Sequence, residues 1–226
     1  IGASGAFFGS SKNVINYMWR RAPGYFDVVA YTGNSTAGRT VSHKLEVTPE
    51  MIWVKRRNGD IGWPVWHKDT TPDATYGNKT LMLNTNAAES LTGWFTSTAP
   101  TSSVFSLSSN NQINASGGTY IAYLFATLPG ISKVGSFTTT GSDLNVDCGF
   151  TNGARFILFK KTSATEDWIV FNTERGIVAG NDPFLALNTT AAEYTLSDAI
   201  DPLSSGFTLV GSFWGSGSNY IFLAIA

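Results

Sequence analysis

Cysteine is almost absent from this sequence: Cys148 stands alone among 226 residues. A single thiol excludes an internal disulfide framework and any zinc site built on cysteine. Charge is scarce too. Asp, Glu, Lys and Arg make up 14% of the chain and leave a formal net charge of −1, against about 25% charged residues in an ordinary soluble domain. No basic or acidic run occurs, so the chain carries no electrostatic footprint for nucleic acid or for an anionic membrane. No apolar stretch approaches the ~20 residues needed to span a bilayer. Neither an initiator methionine nor a signal-peptide pattern stands at the start, and the expectation is that Ile1 is a cut into a longer protein.

Gly, Ser, Thr and Asn fill the space that charge leaves. That mix suits short strands and many turns, because Gly and Asn tolerate positive φ and Thr fits a pleated surface. Segments such as Thr119 to Ala126 and Ile221 to Ala226 are short, rich in Tyr, Ile, Leu and Phe, and bounded by Gly/Ser/Asn clusters. MIWVK and FILFK are apolar on both faces, the pattern of a central strand covered on both sides.

The chain repeats itself. MIWVKR (Met51 to Arg56) matches FILFKK (Phe156 to Lys161), and WPVWH (Trp63 to His67) matches WIVFN (Trp168 to Asn172). LMLNTNAAE from Leu81 matches LALNTTAAE from Leu185, VFSL matches GFTL, and GGTYIAYLFA matches GSNYIFLAIA. These matches are colinear, with an offset running from 105 (Met51 to Phe156) to 100 (Tyr120 to Tyr220). The N-terminus extends the pattern, since VINYMWRRAPGYFDVVAYT from Val14 lines up with YIAYLFATLPGISKVGSFT from Tyr120. Val14 to Arg21 is therefore expected to be the last strand of a preceding unit, with Ala22-Pro23-Gly24 and Leu128-Pro129-Gly130 as equivalent linkers.

The predicted fold is all-β: two tandem antiparallel sandwich-like units of about 100 residues, with an N-terminal strand from a preceding unit. The boundaries are 1–24 for the end of that unit and its linker, 25–127 for the first full unit and 131–226 for the second. Only the AAE segments point to a short helical turn.

Each candidate site has a plainer reading beside it. The recurrence of NTxAAE in one context assigns it to the scaffold, with Asn84 and Asn188 accepting backbone N–H bonds from the following turn. Asp143-x-Asn145-x-Asp147 has the spacing of half a calcium loop, yet Cys148 stands where glycine is required and Ala154 where glutamate is. Alternation accounts for it: the polar residues face solvent along a strand, and Leu144, Val146 and Cys148 face the core. The two histidines, His43 and His67, align with Cys148 and Asn172. No nucleophile-elbow pattern occurs, and no metal, cofactor or catalytic residue is expected. Unmatched acids near loops (Asp60, Asp69, Asp73, Glu166, Asp167) leave a carboxylate pair for glycoside hydrolysis as an alternative that spacing does not decide. Four N-x-[ST] sequons match what chance gives in so Asn-rich a chain.

Aromatic residues that the repeat does not reproduce carry the functional expectation. Tyr76, Trp94, Phe95, Phe213 and Trp214 lack aromatic counterparts and sit in Gly/Ser/Thr-rich segments. Such side chains suit a partner interface or the face of a sugar.

The combination YMWRRAPGYFDVVAYTGN, TVSHKLEVTPEMIWVKRRN, LMLNTNAAE, GTYIAYLFATLPGISKVGSF, CGFTNGARFILFK and YIFLAIA resembles a repeat domain from virion proteins of tailed bacteriophages, especially phages of marine bacteria. The resemblance covers about Tyr17 to Ala226 and carries no catalytic residues. It implies a C-terminal module of a longer structural protein: a non-enzymatic part of a tail fibre, spike or surface decoration, located in the virion and acting in adhesion or assembly. The expected partners are other virion proteins or copies of the chain itself as a homo-oligomer, and a host surface glycan. The alternatives are a lectin-like carbohydrate-binding module and a fragment of a polysaccharide depolymerase.

Overall fold

The computed structural model describes residues 16–75, 77–195 and 197–226. In the first unit, strands β1 (Phe26–Thr32), β7 (Thr119–Phe125), β3 (Met51–Arg56), β4 (Pro64–His67) and β5 (Thr80–Met82) form one antiparallel sheet in that order. In the second, β8 (Ser132–Thr140), β15 (Ser216–Ile225), β10 (Phe156–Lys161), β11 (Ile169–Asn172) and β12 (Leu185–Ala186) form another in the same order. Register confirms the alignment residue by residue. Met51 lies opposite Phe125 and His67, as Phe156 lies opposite Ile225 and Asn172. Val65 lies opposite Leu81, as Val170 lies opposite Leu185.

Each large sheet is covered by a small one. β2 (Arg39–Ser42) pairs with β6 (Val104–Leu107) over the first, and β9 (Leu144–Asp147), β14 (Gly206–Leu209) and β13 (Ile200–Leu203) lie over the second. Two single-turn helices, α1 (Asn111–Asn114) and α2 (Gly211–Trp214), complete the covers. Strand periodicity sorts the side chains. In β3, Ile52 and Val54 join the core beneath β2 and β6, while Met51 and Trp53 face the other way. In β10, Ile157 and Phe159 face the cover, and Phe156 and Leu158 face away from it.

Those outward-turned residues do not meet water. Met51, Trp53 and Phe125 from the first unit share a third apolar cluster with Phe156, Leu158, Trp168, Val170 and Leu223 from the second. The two large sheets therefore face one another across a common core, and the all-β tandem is four layers deep. This explains why MIWVK and FILFK are apolar on both faces: each strand is buried twice over.

Two expectations are corrected. The AAE segments are not helical; the helical turns lie at α1 and α2 instead, where buried Ile113 and Trp214 dock into the unit cores. Residues 16–21 form no strand among the described residues. Burial alternates along the segment, with Tyr17 and Trp19 packed on the shared core, and Val14 and Ile15 lie outside the described residues.

Candidate functional site

The two large sheets do not close on one another along their whole length. Beside the shared core opens a cleft of 1310 Å³, lined by Trp19, Trp53, Trp63 and Tyr123 and bordered by the two Asn-Thr loops through Asn84 and Asn188. None of its described lining residues is charged. The ring planes of Trp63 and Tyr123 lie within 24° of each other, with centroids 6.3 Å apart. Trp53 is almost fully buried, and its indole N–H has no partner among the described residues. An uncharged, largely apolar pocket of this kind suits an occupant that is mostly hydrophobic.

The Asn-Thr loops hold the walls of this cleft. Asn84 Oδ1 accepts the backbone N–H of Trp63 at 2.8 Å, and Asn188 Oδ1 accepts that of Trp168 at 2.7 Å. The scaffold role expected of these residues stands, but the donor comes from the start of the neighbouring strand and not from the following turn. Each asparagine thus pins the tryptophan that enters β4 or β11.

The two tryptophans then meet different fates. Trp168 is fully buried between the units, and its Nε1–H donates to the Met82 carbonyl of the first unit at 2.9 Å. Around it runs a polar seam in which Glu166 N–H donates to Asn86 O at 2.9 Å and Glu89 N–H to Thr162 O at 3.0 Å. Lys160 is buried at this seam with its ammonium on the carbonyls of Asn86 and Lys161, and burial pulls its pKa down to about 8. In the first unit the corresponding Lys55 donates to its own Ile61 carbonyl and stands 5.6 Å over the Trp63 ring, at the edge of the cleft.

Several ionisable groups elsewhere are committed to the fold. Burial pushes His67 down to about 3, so the ring is neutral, and its Nδ1 accepts the Asp69 N–H at 3.1 Å. His43 is lowered by the same cause, and the Cys148 thiol at the equivalent position is pushed up to about 12. Buried Asp27 accepts from the N–H groups of Val28 and Lys44 and from Arg21. Buried Asp182 accepts from Val178, Ala199 and Ile200. Asp143, Asn145 and Asp147 are exposed and occupied locally, by Gly211 N–H, the Thr208 hydroxyl and Gly149 N–H, while Val146 and Cys148 are buried. The alternation read from the sequence accounts for the spacing.

The aromatic candidates are not brought together. Phe95 is 5% exposed and Trp214 7%, so both are core residues and not loop contacts. Register gives the reason for Phe95: it bridges Leu107 where Ile200 pairs with Leu209 in the second unit, so a strand position that carries an aliphatic side chain in one copy carries an aromatic one in the other. Trp214 is anchored by its Nε1–H on the Ala199 carbonyl at 2.6 Å. Trp94 packs half-buried on the first unit's own core, and Phe213, 40% exposed, lies against Phe184 in the second. Tyr76 lies outside the described residues. The aromatics that do converge, Trp19, Trp53, Trp63 and Tyr123, lie in the repeated segments and not among the residues that the repeat leaves unmatched. What pointed to them was the unbroken apolar pattern of the central strands, which buries a second face without saying against what.

The comparison with family profiles follows this architecture: a family described as a domain of unknown function, DUF7483, matches residues 22–226. The chain belongs to the DUF7483 family. The match begins at Ala22, where the linker enters the first unit, so the DUF7483 region contains both copies and the seam between them. No curated protein and no solved structure matches it.

Proposed function

We propose that this chain is a non-enzymatic structural module of a bacteriophage virion, part of a tail fibre, spike or surface decoration, and that it works by assembly and adhesion. The observation that carries this reading is the uncharged aromatic cleft between two mated copies of one fold. Its walls offer hydrophobic contact area, which is what assembly surfaces use. The histidines are buried, and Asp27 and Asp182 are tied to backbone N–H groups, which leaves them to stabilise loops. Antibodies raised against the chain are expected to decorate intact phage particles purified from the host culture. Particles that bind none, when the chain is present in the lysate, overturn the virion reading.

A second reading, glycan binding, is favoured by one feature. Trp63 and Tyr123 form a nearly parallel aromatic platform with Asn84 and Asn188 beside it, and a sugar can stack on such a face while amides meet its hydroxyls. A glycan array separates the two readings: binding that Trp63→Ala abolishes supports a lectin, and a blank array on the folded chain removes it.

A further inference from the structure

The two copies meet head to tail, and each leaves half of that interface unused. In the seam, the loop after β5 bonds through Asn86 and Glu89 to the β10–β11 connection at Glu166 and Thr162, and Trp168 reaches back to Met82. The equivalent loop after β12 is exposed from Thr189 to Glu193. The equivalent β3–β4 connection ends at Trp63, which lines the cleft. One copy thus has a free loop and the other a free receiving edge, and Thr189, Thr190 and Trp63 border the same opening. A heterologous interface of this kind repeats, closing into a ring where the rotation between copies allows it and extending as a filament where it does not.

The N-terminal segment says what belongs in the gap. Tyr17, Met18 and Trp19 align with Tyr123, Leu124 and Phe125 of β7. Entry into the two units is the same turn: Ala22 bridges Phe26 as Leu128 bridges Ser132, with Gly24 at φ 76° and Gly130 at φ 74°. Tyr17 and Trp19 face the shared core, as Tyr123 and Phe125 do. Met18 is 91% exposed where Leu124, covered by its own unit, is 0% exposed. Exposure of that size at a core position is what a strand shows when the rest of its unit is not beside it.

The segment also touches both units. The Trp19 ring lies 5.7 Å from Phe125 of the first and 5.9 Å from Phe156 of the second. The Tyr17 hydroxyl is bonded by Asn172 at 2.6 Å and Arg175 at 2.9 Å. Asn172 occupies the position of His67, whose ring in turn lies against the Phe222 backbone of the second unit. The segment therefore stands to the second unit as the second stands to the first, while its chain leads directly into the first. Three members complete the circuit.

We propose that the cleft is the seat of a third copy of the unit, in which Tyr17 to Arg21 pairs as the final strand and which the same polypeptide supplies ahead of that segment, closing a three-membered ring of sheets around one core. The inference rests on reading the cleft as an assembly surface and names its occupant. The third copy lays its own Asn-Thr loop against Lys55 and Trp63 and receives the exposed Thr189–Glu193 loop.

Two measurements test it. The roughly 100 residues encoded ahead of Ile1 are expected to carry, in order, counterparts of MIWVKR, the Trp-x-x-Trp strand and NTxAAE; a stretch without them, or none, overturns the proposal. Hydroxyl-radical footprinting then compares the 226-residue chain with the same chain carrying its upstream sequence. Trp63, Met18 and Leu187 are expected to label in the shorter chain and to fall at least about tenfold in the longer one. Equal labelling of a folded longer chain overturns both the ring and the assembly reading of the cleft. If the shorter chain alone forms a dimer that protects Trp63, a second molecule takes the seat, which overturns the ring in one polypeptide and leaves assembly standing.

Discussion

Trp63 and Trp168 are the same residue of the same fold, yet one lines an open cleft and the other is sealed between two sheets. The backbone anchoring of the two is the same. Both tryptophans immediately precede the fourth strand of a five-stranded sheet, and both have their backbone N–H held by an asparagine. What differs is the neighbour. The second unit has the first unit's loop against it, and that contact converts an equivalent corner into core. Burial here is a property of where a copy stands in the array and not of its local sequence.

The largest expected effect sharpens this contrast. Trp168→Ala removes a fully buried indole and its cross-seam hydrogen bond, and is expected to cost about 3–5 kcal/mol in denaturant unfolding. Trp63→Ala, at a half-exposed position, is expected to cost no more than about 1.5 kcal/mol in the same chain. Equal losses would break the comparison, because the seam would then contribute nothing that the cleft does not.

His67 comes next. Its folded pKa of about 3 lies below the ordinary 6.5, so between these values the unfolded chain binds a proton that the folded chain refuses. Stability therefore falls as pH drops from about 6.5 towards 3, by up to about 1.4 kcal/mol per pH unit from this group. His67→Asn installs the residue that the second copy uses, and the acid limb of the stability curve should flatten. An unchanged limb places the acid sensitivity elsewhere.

Much of this was legible in the sequence. The repeat, its register and the pairings His43 with Cys148 and His67 with Asn172 follow from aligned motifs, because strand pairing preserves sequence order. The solvent-facing Asp143, Asn145 and Asp147 follow from alternation. The burial of Phe95 and Trp214 did not: an aromatic beside Gly, Ser and Thr looks the same in an exposed loop as on a short covering strand or a one-turn helix. Nor did the cleft, since periodicity shows that a strand has two apolar faces but not that the second face meets another copy of the unit.

Lys160 sets the seam against the free edge at alkaline pH. Its folded pKa of about 8 lies below the ordinary 10.5, so the folded chain releases a proton that the unfolded chain keeps, and stability rises with pH across that window. Lys160→Met should remove the rise, whereas Lys55→Met, at the cleft edge, should leave it intact. If both variants keep the rise, the seam does not desolvate its lysine.

The smallest effect concerns the two asparagines. Asn188→Ala and Asn84→Ala each delete an acceptor for one tryptophan N–H, a loss of about 1 kcal/mol on ordinary hydrogen-bond magnitudes. The consequences should still differ. At Asn188 the orphaned Trp168 N–H belongs to a residue with no access to water, so the full desolvation penalty of an unmet donor, about 1–3 kcal/mol, applies. Asn188 Nδ2 also holds Asp167 at 2.8 Å, whereas the matching position in the first unit is Gly62, which has no side chain to bond. At Asn84 the N–H of half-exposed Trp63 can be met by water from the cleft, and the loss should be a few tenths of a kcal/mol. Unfolding midpoints of the two single variants read this directly. Filling the cleft with the upstream unit should raise the Asn84→Ala cost towards that of Asn188→Ala, since Trp63 would then stand where Trp168 already does.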